Sequence, residues 1–164
     1  MSGVRFRLDL PGHPDLEVVA FEGRERISSI PVFTVALVTA ESLDAGAVLG
    51  ARVRLALEVG GKTRVVTGIA DRFERGRPLA NGRARYDLRI VAALSLLRRR
   101  VWSAVYQDLP TLEIAAHVLG EHGVPFELAC LGPLPKREYC VQHQESDYDF
   151  MRRLFAEEGI AFRV

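Results

Sequence analysis

The run Arg52–Glu74 constrains the fold more than any other stretch. Val53, Leu55, Leu57 and Val59 fall on one side of an alternating pattern, with Arg52, Arg54 and Glu58 on the other. That period belongs to a half-buried β-strand. Gly60-Gly61 follows, where a two-residue reversal needs positive φ at both positions. Thr63–Glu74 then reads as a long return strand. A lone hairpin of this kind is marginal in water, so its apolar face requires more strands. Gly68, inside the return strand, predicts a bulge or a bend of the kind that curls a sheet.

The flanking sequence supplies those strands. Val4, Phe6, Leu8 and Leu10 alternate with polar residues; Pro11-Gly12-His13-Pro14 is a turn; Leu16–Phe21 is a second strand, able to pair with the first as a hairpin. Glu22–Ile30 reads as a charged connection around Gly23. Val32–Ala40 is apolar on both faces, which places it centrally. Ser42 or Asp44 caps a single helical turn through Val48, closed by Gly50. Arg75–Gly82 reads as a loop, and Tyr86, Leu88 and Ile90 mark a strand with an Arg-rich outer face. Six strands with turn signals and little helix predict a curled antiparallel barrel or sandwich ending near Ala92.

The grammar then changes. Residues 93–101 read as a short helical turn and connector, and Trp102–Gln107 as a short strand. Pro110 suits a first helical turn, with Asp108 or Thr111 as cap. Leu112, Ala115, Ala116 and Leu119 make the apolar stripe, and Gly120 or Gly123 ends the helix. Val124–Cys130 reads as a strand. In Arg137–Gln142 the pair Tyr139 and Val141 falls on one side, and Cys140 and Gln142 on the other. Ser146 stands three residues before Asp149, close to a capping box, ahead of a helix with the stripe Phe150, Met151, Leu154, Phe155. Asp149 is placed to pair with Arg153. Gly159 is a left-handed stop, and Ile160–Val164 reads as a new strand. The fold class is therefore α+β: a β-barrel-like domain over 1–92, a connector over 93–101, and a small α+β domain over 102–164.

Composition excludes several functions. The formal charge of +1 over 164 residues gives no global pull toward nucleic acid or an anionic membrane. MSGVRFRLDL lacks the basic segment and apolar core of a signal peptide, and no run is long and apolar enough to span a bilayer. Cys130 and Cys140 have no CxxC or Cys/His metal spacing and read as small buried hydrophobes; a disulfide between them is the alternative.

The chemistry-bearing residues have structural explanations. Glu145, Asp147 and Asp149 complement the orphan N–H groups and dipole at a helix start, and no EF-hand spacing accompanies them. His143, Ser146 and Asp147 are adjacent in sequence, which is no sign of a triad, and there is no G-x-S-x-G elbow. His117 and His122 are five apart, unlike an HExxH pair, and read as surface residues near a helix end. Arg98-Arg99-Arg100 beside Trp102 reads as a solvated connector or subunit contact, with phosphate and base gripping as the alternative. No residue is assigned a catalytic, cofactor-binding or metal-ligating role.

The segment Tyr139-Cys140-Val141-Gln142, Glu145-Ser146-Asp147, Asp149-Phe150 and Glu157-Glu158-Gly159-Ile160 resembles the N-terminal region of the type VI secretion spike family VgrG and the contractile phage baseplate hub (late control D-like). The resemblance extends through Tyr106-Gln107, Phe21–Glu25, Leu43–Gly50 and Gly68; His143 departs from it where an aromatic residue is usual. It implies a structural hub that seats a spike on a tube for effector delivery. The family's hub carries two similar barrels per chain, so its trimer presents pseudo-sixfold symmetry. Implied partners are two further copies in a homotrimer, a hexameric tube ring protein, and secreted effectors or adaptors, with no nucleic acid and no stable membrane insertion. Implied localisation is cytoplasmic before firing, then export without a signal peptide. Family members are much longer, so this chain is expected to be a truncated piece of such a protein. A wall hydrolase and a nucleic-acid binder are the competing readings.

Overall fold

The computed structural model describes residues 4–129 and 132–164. It divides into two units, one of residues 1–26 and 30–92 and one of residues 27–29 and 93–164.

The first unit is a six-stranded antiparallel sheet: β1 (Arg5–Asp9), β2 (Glu17–Arg24), β3 (Val32–Thr39), β4 (Arg52–Val59), β5 (Lys62–Pro78) and β6 (Ala84–Val91), in the order β1-β4-β5-β6-β3-β2. The expected β1–β2 hairpin does not form. β1 pairs with β4, from Arg5↔Glu58 to Asp9↔Arg54, and β2 pairs with β3. Across the first ladder the partly exposed Asp9 accepts from Arg54 (3.1 Å) as well as from Arg7 on its own strand (3.0 Å).

The curl comes from β5, which changes partner midway. Lys62–Ile69 pairs with β4, and Ile69–Pro78 with β6. Gly60 and Gly61, at φ 55° and 78°, make the tight reversal that starts it. At the handover a Cβ on Gly68 would lie 2.5 Å from the Val91 carbonyl oxygen, so only glycine lets the strands cross there. The register slips between Ala70 and Arg72, and Asp71, the extra residue, takes both Nε (2.8 Å) and an Nη (2.7 Å) of Arg89. The bulge thus lies three residues beyond the glycine. The result is a half-barrel whose edge strands β1 and β2 meet only through side chains, with the Phe6 and Phe21 ring centroids 6.0 Å apart.

Its core is Leu8, Phe33, Val35, Leu37, Val53, Leu55, Val66, Tyr86, Leu88 and Ile90. The buried Tyr86 hydroxyl accepts from the Leu43 N–H and donates to the Glu41 carbonyl, both at 3.3 Å. That ties the crossing segment, with helix α1 (Ala45–Val48), to the sheet; Asp44, not Ser42, caps the helix through the Ala47 N–H. Two connections turn out to be strand. β2 runs on through Gly23, which lies under the Phe33 ring, and the supposed Arg75–Gly82 loop continues β5 as far as Pro78.

The second unit pairs β7 (Val101–Pro110) with β8 (Lys136–Ser146) and packs helices α2 (Thr111–Glu121) and α3 (Asp147–Glu157) on one face. Residues 93–98 form the expected short helical turn, a 3-10 turn, and it buries Leu94 and Leu97 while Arg98 and Arg99 stay exposed. In α2 the buried stripe is Thr111, Ile114, Ala115, Val118 and Leu119, one step round from the expected one. Pro110 holds the N-cap position without a side-chain bond; the Thr111 hydroxyl instead accepts from Arg137 Nε. Residues 124–129 carry no regular structure, where a strand was expected, and Cys130 lies outside the described residues. Ile160–Val164 is not a strand either: Gly159 (φ 66°) stops α3, and the Phe162 carbonyl accepts from the Ser28 N–H.

Candidate functional site: the Asp147 cluster and the open ribbon face

The second unit is organised around one carboxylate. Asp147, the first residue of α3, is fully buried. Its Oδ1 accepts from Trp102 Nε1 and Gln142 Nε2, each at 2.8 Å. Its Oδ2 accepts from Arg100 Nε (2.5 Å) and lies 2.6 Å from His122 Nε2. Arg100 also pairs with Glu121 and lies 4.4 Å from the centre of the Trp102 ring. Local sequence explains the convergence. β7 brings Trp102, β8 brings Gln142, His122 caps the end of α2, and Asp147 sits where α3 leaves N–H groups exposed.

Burial pushes the Asp147 carboxyl up, but hydrogen bonds from Gln142, His122, Arg100 and Trp102 outweigh it and hold the group below the usual carboxylate range. Burial likewise works against the charge on Arg100, and Glu121 and Asp147 overrule it. A carboxylate offers about four acceptor positions, and here four donors take them. It has nothing left with which to act as a base or bind a cation.

The neighbouring acids are also committed. Glu145 accepts from Arg153 (2.6 Å), while Asp149 accepts the Ser146 hydroxyl (2.6 Å) and donates its N–H back to Ser146 Oγ (3.1 Å), completing the cap. The expected Asp149–Arg153 pair is replaced by Arg153 with Glu145 and Glu157. The three acids therefore point to three different partners. His143 is exposed and His117 faces Glu121 and, edge-on, the Tyr106 ring, but His122, expected at the surface, belongs to the cluster. Arg100 likewise is no solvated connector. Among the described residues, no group of three or more His, Cys, Asp or Glu is placed to hold a metal, and no helix is long and apolar enough to cross a membrane.

Sequence reasoning put Arg100 beside Trp102 but did not join either to His122, Gln142 or Asp147. The one signal available was Gln142 on the same side of a strand as Cys140.

The other face of the β7–β8 ribbon is open. The buried side carries Tyr106, Cys140 and Gln142, with Tyr106 stacked on Phe150 at 5.5 Å. The outer side presents Val105 opposite Val141, and Tyr139 opposite Gln107. Val105 is 53% exposed, Val141 41% and Tyr139 63%. Val105, Val141 and Tyr139 thus form a contiguous exposed apolar strip on this face.

The family model for the phage tail baseplate hub (GPD) matches residues 24–164. The type VI secretion system spike protein VgrG4b of Pseudomonas aeruginosa is 37% identical over 96% of this chain, which spans only 20% of that protein. Among solved structures, the E. coli c3393 protein, a component of the type VI secretion system with structural similarity to the T4 tail proteins gp27 and gp5, matches with a TM-score of 0.86 and 26% identity, over 96% of this chain and 44% of its own. The 43 kDa tail protein of prophage MuSo2 from Shewanella oneidensis shares the fold at a TM-score of 0.71 and 13% identity, over 96% of this chain and 49% of its own. The chain belongs to the phage tail baseplate hub family, whose members include the structural spike proteins of type VI secretion.

Proposed function

We propose that this chain is the hub portion of a type VI secretion spike and works as architecture, not as an enzyme. The observation that carries this is the 37% identity to a secretion spike across 96% of the chain, against 13% to a phage tail protein of the same fold. The saturated Asp147 supports the non-catalytic part. Residues 1–92 supply the half-barrel that stacks on the tube, 93–101 lead out of it, and 102–164 begin the α+β domain. In the whole protein three copies form the hub, seat it on a hexameric tube ring, and carry effectors or adaptors, cytoplasmic before firing and exported by the machine.

The test is a segment exchange. The matching region of VgrG4b is replaced by this chain, and release of the tube ring protein is scored in a strain lacking its other spikes. Release at near-normal levels is expected, and lost by introducing Val105→Asp together with Val141→Asp. Assembly into a phage tail with no support of secretion would overturn the reading.

A further inference from the structure

The Asp147 cluster has a property that its structural role does not require. All four groups around the carboxylate donate. A proton added to either oxygen must therefore face a donor's hydrogen and expel it. The groups differ in their freedom to leave. Gln142 is fully buried and also bonds the Glu145 carbonyl, and Arg100 keeps Glu121. Trp102, like His122, has no second hydrogen-bond acceptor, but the Arg100 guanidinium stays 4.4 Å from its ring centre; His122 is left with Asp147 alone, at the end of α2, where the chain turns out through Gly123 (φ 62°). The charged and titratable groups facing the carboxylate are Arg100 before β7, Glu121 at the end of α2, His122 capping it, and the buried Tyr106 on β7.

We propose that Asp147 is a proton-operated latch: neutralising its carboxylate releases His122, and with it the C-terminal end of α2, from the start of α3, while the rest of the β7–β8 unit stays folded. The inference is independent of the machine the chain serves. The carboxyl's depressed affinity for protons sets the direction: the latch holds at neutral and mildly acidic pH and opens below the ordinary aspartate range, about pH 3.9.

Trp102 is the one tryptophan of the chain and bonds the latch directly, so it is a built-in reporter. The full chain is titrated from pH 7 to 2, following Trp102 emission and its indole N–H resonance beside far-UV circular dichroism. A reversible Trp102 step with its midpoint below pH 3.9, ahead of any loss of the dichroism signal, is expected. Asp147→Asn should show the acid-state Trp102 signal already at pH 7 and no step. His122→Gln, which cannot titrate at that position, should keep the step. A Trp102 change that coincides with global loss of structure overturns the proposal. So does a step that survives Asp147→Asn or vanishes in His122→Gln. If Asp147→Asn does not fold, the wild-type and His122→Gln titrations decide alone.

Discussion

Gly68→Ala tests the account of the curl. The added methyl would lie 2.5 Å from the Val91 carbonyl oxygen and 2.7 Å from Ile90 Cγ2, where ordinary contact begins at 3.4 Å. The shortfall of about 0.9 Å is against backbone, so it cannot be relieved by a rotamer change. It falls where β5 passes from β4 to β6, and any shift strains both ladders. Forcing extra methyl groups into packed sites costs ~1–3 kcal/mol, and alanine returns only ~0.4–1 kcal/mol through the unfolded chain. A net loss of about 1–2 kcal/mol is expected. Urea unfolding followed by far-UV circular dichroism reads it as a lower midpoint at unchanged slope. Gly120→Ala is the control: its methyl would meet nothing within 4 Å and its backbone is helical, so it should be neutral or stabilising by up to ~1 kcal/mol. If Gly68→Ala unfolds within 0.5 kcal/mol of wild type, as ordinary surface changes do, close approach is not why glycine stands there.

Ser146→Ala should cost ~1 kcal/mol by removing the cap on α3; calorimetry of the wild type with Ca²⁺ should show no heat of binding, and a tight site lost in the variant would reassign the acids. Asp147→Ala strands four inward-facing donors and should cost ~3–5 kcal/mol, the range for breaking a buried charge pair, read by thermal melts at pH 7. Glu157, held below its ordinary range chiefly by Arg137, contributes stability that is present above about pH 4.3 and lost as pH falls through its lowered value. Glu157→Gln should therefore cost under ~1 kcal/mol at pH 7, since the pair is partly exposed, with the gap closing in acid; a gap that widens there has the wrong sign. Light scattering at micromolar concentration should give a monomer or weak association, because a stable obligate interface buries ~2,000 Å² or more; a stable trimer contradicts this.

The half-barrel was legible because its signals are local. Alternation in β4, the diglycine turn and the mid-strand Gly68 are each visible in one stretch, and each does what its local chemistry requires. Pairing was not local. Nothing in Leu16–Phe21 says that its partner is β3 and not β1; in the fold the Phe21 ring lies between the two, 5.9 Å from Phe33 on β3 and 6.0 Å from Phe6 on β1. The boundaries at Arg24 and Pro78 moved outward for the same reason: charged residues stay in a ladder when the neighbouring strand has already paid the ordering entropy.

The second unit was misread where polar residues were judged one at a time. Trp102, His122 and Gln142 each have a bland reading alone. Only the fold brings them to one buried carboxylate, and no spacing in sequence encodes a meeting of residues as far apart as Arg100 and Asp147. The ribbon shows the converse. Tyr139 and Val141 are the more apolar side of β8, yet the polar Gln142 side is the one buried, because Asp147 and Glu145 give its amide two acceptors. An apolar face turned out while a polar face is turned in costs stability in an isolated chain. Val105, Tyr139 and Val141 are thereby left as exposed apolar surface, and covering it would add to stability, which supports the architectural role proposed above.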